Sequence, residues 1–143
     1  MVIIGAGGHA RDTAWHAKEA GTLDVRGFVV SDVSKLGSHD SAVLGDESWI
    51  EANLREIDGL VIGIGSPGVR AKVAARLMGE FPSLAWPNII HPSALFDWDT
   101  LRIGQGVLVG AGVVGTVGVR LDDFAVLNPT VTLGHEAVVG RCS

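Results

Sequence analysis

The chain has 143 residues, 47% of them hydrophobic and 19% charged, which is the composition of a globular protein with room for a real core. Its net charge of −5, with no cluster of Lys and Arg, argues against nucleic acid as the main partner. Its apolar runs are strand-length and fall short of a membrane span, and no basic segment precedes an apolar one as in a secretory signal. The single Cys142 excludes a disulfide framework and fits a reducing, cytoplasmic setting.

The first strand, Val2-Ile3-Ile4, runs directly into Gly5-Ala6-Gly7-Gly8-His9-Ala10. A helix is expected through Arg11 to Ala20, ending at Gly21, a usual residue after a helix C-terminus. Val25 to Val30 reads as a second strand that ends in Ser31-Asp32, and Asp46 to Glu56 as a second helix with Trp49, Ile50 and Leu54 on one face. Leu60 to Ile64 is a buried strand, Gly65 turns the chain, and Ser66 and Pro67 open a helix that reaches about Met78. This alternation predicts a small parallel sheet with helices on both faces over residues 1–88.

Two strand-to-helix turns of that sheet carry glycines. Gly5-x-Gly7-x-x-Ala10 places bare backbone amides at a helix N-terminus, a ready phosphate site. Gly63-Ile64-Gly65-Ser66 repeats the arrangement after another strand, and Asp32 ends the second strand where a ribose or base contact is expected. The same glycines also serve a tight turn with no ligand. A dinucleotide site needs a second mononucleotide half, for which there is no room before residue 89, so a nucleotide-activated small molecule fits better than NAD. His9 is placed to hold a pyrophosphate, or else simply sits at the helix start.

From Ile89 onward an apolar or small residue returns at every sixth position: Ile89, Leu95, Leu101, Val107, Val113, Val119, Ala125, Val131 and Ala137. A second phase follows two residues later in Ile103, Val109, Leu121, Leu127, Leu133 and Val139, interrupted by Gly115. Turn-forming residues come next at Gly104, Gly110, Asp122, Asn128, Gly134 and Gly140, where the chain is expected to bend. Neither a helix nor a flat strand repeats at six, whereas three short strands per turn of a triangular coil do. Residues 89–143 therefore read as a parallel β-helix, with no slip expected in the hexads.

Within the coils His135 lies between two inward positions, so its ring should project outward beside a corner, with Glu136 adjacent. A neutral imidazole takes a proton from an amine or hydroxyl, and a neighbouring carboxylate fixes its tautomer. An exposed histidine on a β-surface is more often inert. Metal is not favoured, because His91 and His135, the histidines of the coils, stand at opposite ends.

GAGGHAR, VIGIGSPGVR, IIHPSA and NPTVTLGHE occur in that order along the chain. Together they resemble the NeuD/PglD group of bacterial sugar acetyltransferases over essentially the whole length. The resemblance implies a Rossmann-like N-terminal domain followed by a left-handed β-helix that forms homotrimers and binds acetyl-CoA between neighbouring coils. It implies that His135 is the general base, that Glu136 supports it, and that Asn128 is the motif's asparagine. It implies an acceptor that is a nucleotide-linked amino sugar or a sialic acid, and it assigns Gly7, Gly8 and His9 to the sugar nucleotide and Asp32 with Gly63, Ile64 and Gly65 to the nucleoside. Family members continue for several more coils, so the chain is expected to be a truncated form whose nucleotide binding outlasts its acetyl transfer. A non-catalytic nucleotide-sugar-binding or scaffold fragment is the alternative, and an NAD-linked oxidoreductase a weaker one.

Overall fold

The computed structural model describes residues 1–21, 23–35 and 42–143. Its first part runs β1 (Val2–Ile4), α1 (Gly8–Ala20), β2 (Phe28–Val29), β3 (Val43–Gly45), α2 (Glu47–Ala52), β4 (Leu60–Ile62) and α3 (Pro67–Glu80). The four strands form one parallel sheet in the order β3-β2-β1-β4. Alternation along β1 sends Val2 and Ile4 to the side of α2 and α3, where they pack with Ile50, Ala74 and Leu77. Ile3 faces the opposite side with Ala10 and Ala17 of α1. Helices therefore cover both faces, as expected.

Several boundaries differ from the sequence reading. The first helix begins at Gly8, ahead of Arg11, with Gly7 as its N-cap, and ends as expected on Gly21 at φ 66°. The second strand is reduced to Phe28–Val29, and β3, which was not anticipated, pairs beside it. The second helix stops at Ala52 because Asn53 turns its carboxamide onto the Trp49 carbonyl at 2.7 Å, and Leu54 is left exposed. Asp46 caps the start of that helix by accepting from the Ser48 amide at 3.0 Å. Ser66 occupies the N-cap position of α3 without a side-chain bond, and Pro67 supplies the first turn.

The remaining strands, each of two residues, are β5 (Ile89–Ile90), β6 (Leu95–Phe96), β7 (Arg102–Ile103), β8 (Leu108–Val109), β9 (Val114–Gly115), β10 (Arg120–Leu121), β11 (Val126–Leu127), β12 (Thr132–Leu133) and β13 (Val138–Val139). They stack into three parallel sheets, β5-β8-β11, β6-β9-β12 and β7-β10-β13, the three sides of a coil. Val107, Val113, Val119 and Ala125 fill its interior together with Val109, Leu121 and Leu127. The bend comes later than the glycine and asparagine positions suggested. A left-handed backbone recurs every six residues at Gly106, Gly112, Gly118, Phe124, Thr130, Glu136 and Cys142.

The expectation of unbroken hexads is corrected. Arg102 pairs with Arg120, a step of 18, whereas Ile89 pairs with Leu108 and Leu95 with Val114, steps of 19. One extra residue lies in the wide corner after Phe96, where the Thr100 and Leu101 amides both turn onto the Asp97 carbonyl at 3.2 and 3.0 Å. The first two strands are thus one residue out of phase with the rest. Leu95 points outward and is 62% exposed, while Phe96 enters the core. Its ring occupies the space a side chain at Gly115 would need, which explains the gap in the second apolar phase. Ile89 also faces out of the coil, against α1, where it is buried with Leu108, Ala10 and Ala17. The position stacked before Val107 belongs to Asn88, whose carboxamide accepts from the Val107 amide and donates to the Gly104 carbonyl, both at 2.8 Å.

Candidate functional site

The β1–α1 and β4–α3 turns lie side by side at the carboxyl ends of adjacent strands. Gly5 takes φ +104°, and a Cβ on it would sit 3.0 Å from the Gly63 carbonyl. A Cβ on Gly63 would meet Ala10 and Ile3 at 2.7 Å, so Gly63 is bare because α1 crosses β4 there. Gly7 and Gly8 differ, since both are exposed and a Cβ on either would meet nothing within 4 Å. The first turn of α1 holds no acidic residue, so its free amides face open space with their positive polarity uncompensated. That end of α1 can accept an anion. Gly65 is exposed across from it, and a Cβ there would rest 3.6 Å from His9.

His9 stands in the first turn of α1, beside the exposed Gly65. Burial lowers its pKa, the Arg70 guanidinium lowers it further, and Asp12 opposes both. Its Nε2 is buried without a partner. Seven residues on, His16 is buried too, with an unpartnered Nδ1, and its pKa is also lowered by burial first and by His91 second. His9, Asp12, Trp15 and His16 face Leu108, Leu127, Asn128 and Pro129 of the coils across a cavity of about 120 Å³. The fold thus brings His9 and Asn128, from opposite ends of the chain, to one space.

Asp32 follows β2 and accepts from the Ser34 amide at 3.0 Å and the Ser34 hydroxyl at 2.6 Å, an Asx-type turn. His135 and Glu136 occupy the corner after β12, with Nδ1 and Oε2 3.5 Å apart and both side chains more than four-fifths exposed. The Glu136 amide donates to the Val117 carbonyl at 2.8 Å. Asn128 belongs to the preceding corner, so β12 separates it from His135. The chain therefore assembles two centres. One is the glycine-turn cleft with His9 and Asn128, and the other is the His135–Glu136 corner.

Asp12, His16 and Arg70 escaped the sequence reading, which considered His91 only as a metal ligand and set it aside. His16 and Asp12 share the helical face of His9 at spacings of seven and three, a signal present in the sequence. Arg70 closes the VIGIGSPGVR motif, but nothing local shows that it is buried. Among the described residues no group of three His, Cys, Asp or Glu side chains is arranged to hold a metal ion, and no helix is long and apolar enough to cross a membrane.

No curated protein matches the chain in sequence. Among solved structures it is similar to PerB from Caulobacter crescentus in complex with CoA and GDP-perosamine, with a TM-score of 0.86 and 28% identity over 99% of this chain and 66% of that one. It thus spans about two thirds of that protein's length. The acetyltransferase domain of PglB from Neisseria gonorrhoeae, in complex with acetyl coenzyme A, matches at a TM-score of 0.59 and 25% identity, covering 96% of this chain and 68% of that one. WeeI from Acinetobacter baumannii shares the fold at a TM-score of 0.56 and 16% identity, covering 96% and 67%. Residues 1–77, more than half of the chain, match the family model of the PglD N-terminal domain, and the chain belongs to that family, within the NeuD/PglD type of sugar acetyltransferase that its motifs resemble.

Proposed function

We propose that this protein is an acetyl-CoA-dependent acetyltransferase whose acceptor is a nucleotide-linked amino sugar. The observation that carries the reading is the pairing of the two centres in one chain. Uncompensated amides at the start of α1, beside the exposed Gly65, suit a diphosphate, and the exposed His135–Glu136 pair suits general-base chemistry. The strand order β3-β2-β1-β4 supports a Rossmann-like domain with its ligand at the β1/β4 crossing point. The likeness to PerB over 99% of the chain supports a left-handed coil and a nucleotide-activated amino sugar over a free sialic acid.

In this reading Gly7, Gly8 and His9 hold the pyrophosphate, and Asp32 with Gly63, Ile64 and Gly65 holds the nucleoside. His135 takes the proton of the acceptor amine or hydroxyl as it attacks the thioester carbonyl. Glu136, beside Nδ1, keeps Nε2 as the basic nitrogen. Coil backbone amides stabilise the oxyanion, the C–S bond breaks, and the imidazolium returns its proton to the departing thiolate. Asn128 stands one corner earlier, where it lines the cavity shared with His9.

A homotrimer fits the surface around His135. Trp98, Val117 and His135 stack on one corner of the coil, and Leu95, Trp98, Val117 and Val138 are each more than half exposed. Covering that apolar strip with a second copy brings His135 to a subunit boundary. Cys142, free and buried, is compatible with a cytoplasmic enzyme.

The test is transfer from acetyl-CoA to a panel of GDP- and UDP-linked amino sugars, followed as thiol release in step with acetylated product. Stoichiometric release with at least one acceptor is expected. Nucleotide-sugar binding without transfer points instead to a scaffold, and NAD binding without nucleoside diphosphate binding to an oxidoreductase; either overturns the proposal.

A further inference from the structure

Arg70 of α3 is 3% exposed and, among the described residues, is the one buried side chain with a permanent charge. Its five N–H groups all go to main-chain oxygens, four of them peptide carbonyls and the fifth an oxygen of Ser143, the last residue of the sequence, and none to a carboxylate side chain. Nη1 donates to Ile64 at 2.7 Å and Gly65 at 3.0 Å, Nε to Phe124 at 3.1 Å, and Nη2 to Cys142 at 3.0 Å and Ser143 at 3.1 Å. Phe124 and Cys142 are one coil apart and share the same corner backbone, with φ 58° and 54°. A single guanidinium thus spans two successive coils and the β4–α3 glycine turn.

Desolvating a cation with no carboxylate side chain beside it is costly, and an apolar residue of similar volume often stabilises as well or better. Five satisfied donors remove much of that cost, but a plain core position would not call for them. What the arrangement supplies is geometry. Gly65 lies beside His9 with Ile64 preceding it in the same turn, and Phe124 leads within four residues, through β11, to Asn128. His9 and Asn128 line the same cavity from opposite sides. Lysine, with three donors on one nitrogen and no planar fork, cannot hold the same five oxygens.

We propose that Arg70 is a positioning residue that locks the glycine turn beside His9 onto two consecutive coils and so sets the distance from the N-terminal ligand cleft to the coil surface. The kinetic consequence rests on the function proposed above, whereas the mechanical one does not. The guanidinium also helps keep His9 neutral, behind the larger effect of burial.

Amide hydrogen exchange on the intact protein and on Arg70→Lys tests the clamp without any substrate. In the variant, exchange at the Gly63 amide, which donates to Ile4, and at the Phe124 and Cys142 amides, which donate to Gln105 and Asp123, should rise together by at least about tenfold while the amides of β1 stay protected. In the acetyl-transfer assay kcat should fall about a hundredfold, as for a misplacement of about 1 Å, with the KM for each substrate changed less than about threefold. The His9 imidazole should titrate at higher pH in Arg70→Gln than in Arg70→Lys, which loses the same five-way contact but keeps the charge, so that loosened packing alone does not account for the difference. If the variants fail to fold, the wild type decides, since the turn and the corners must open as one unit with a common denaturant dependence. Independent opening of the two segments overturns the proposal, as does a folded Arg70→Lys with unchanged exchange and kcat. A wild type that transfers no acetyl group overturns the functional reading alone.

Discussion

His16 of α1 and His91 of the first coil meet edge to face, their ring centroids 5.7 Å apart. Trp15 lies against both, at 4.6 and 5.6 Å. His91 accepts from the Ser93 amide through Nδ1 at 3.1 Å and engages the Ser93 hydroxyl at 2.7 Å, while the hydroxyl accepts from the Gly112 amide at 2.9 Å. The seam between helix and coil is therefore built from two imidazoles and an indole packed against one another.

Burial of His16 and His9 beside this seam makes the fold acid-sensitive. The groups facing His16 and His9 are His91, Asp12 and Arg70, and the net effect, with burial largest, lowers both pKa values from 6.5. A lowered histidine pKa favours the neutral folded form. Its contribution is complete above the unfolded value of 6.5 and is lost as pH falls below it toward the folded values. The melting temperature should be level from about pH 8 to about pH 7 and drop toward about pH 5, and His16→Phe should flatten the drop. A wild-type profile level down to about pH 5 contradicts this reading.

Gly115 and Phe96 share one volume of the coil core. Gly115→Ala should cost about 1–3 kcal/mol by overpacking against the ring. Phe96→Leu should relieve part of that cost in the double variant, giving a coupling of at least about 0.5 kcal/mol in a thermodynamic cycle. Additive costs would show that the ring does not occupy the place of a Gly115 side chain.

The corners separate residues that suit a left-handed backbone from those that tolerate it. Gly112 at φ 67° is free of the penalty that a Cβ brings, and Thr130 at φ 65°, a β-branched residue one coil later, is not. Gly112→Ala should destabilise by about 1–2 kcal/mol, and Thr130→Gly should stabilise by up to about 1 kcal/mol after its entropy cost. Chemical denaturation of the two variants reads the opposite signs.

Because His135 is 82% exposed and bonds to no core group, His135→Ala should leave the melting temperature within about 1 °C of wild type. In the acetyl-transfer assay the same change should lower kcat by about a hundredfold or more, the usual loss on removing a general base. Turnover near wild type would remove His135 from the mechanism and leave the corner as surface.

The hexad spacing was enough to establish a three-sided coil, because only a strand, a corner and a repeat of both return an inward residue every sixth position. The two glycine turns were legible for a similar reason, since each follows an apolar strand and opens a helix. Phase in the first coil was not legible. Leu95 and Phe96 are adjacent and both apolar, so either satisfies the pattern, and the choice rests on hydrogen-bond pairing with Val114 and Gly115 across a wide corner. The same limit hid Arg70 and His16. Each reads locally as one more polar residue on a helix, and each is buried only because residues from the opposite half of the chain, Phe124 and Cys142 for one and His91 for the other, close over it. Local spacing encodes the repeat and the turns, whereas the seam that joins them depends on contacts between residues more than 50 positions apart.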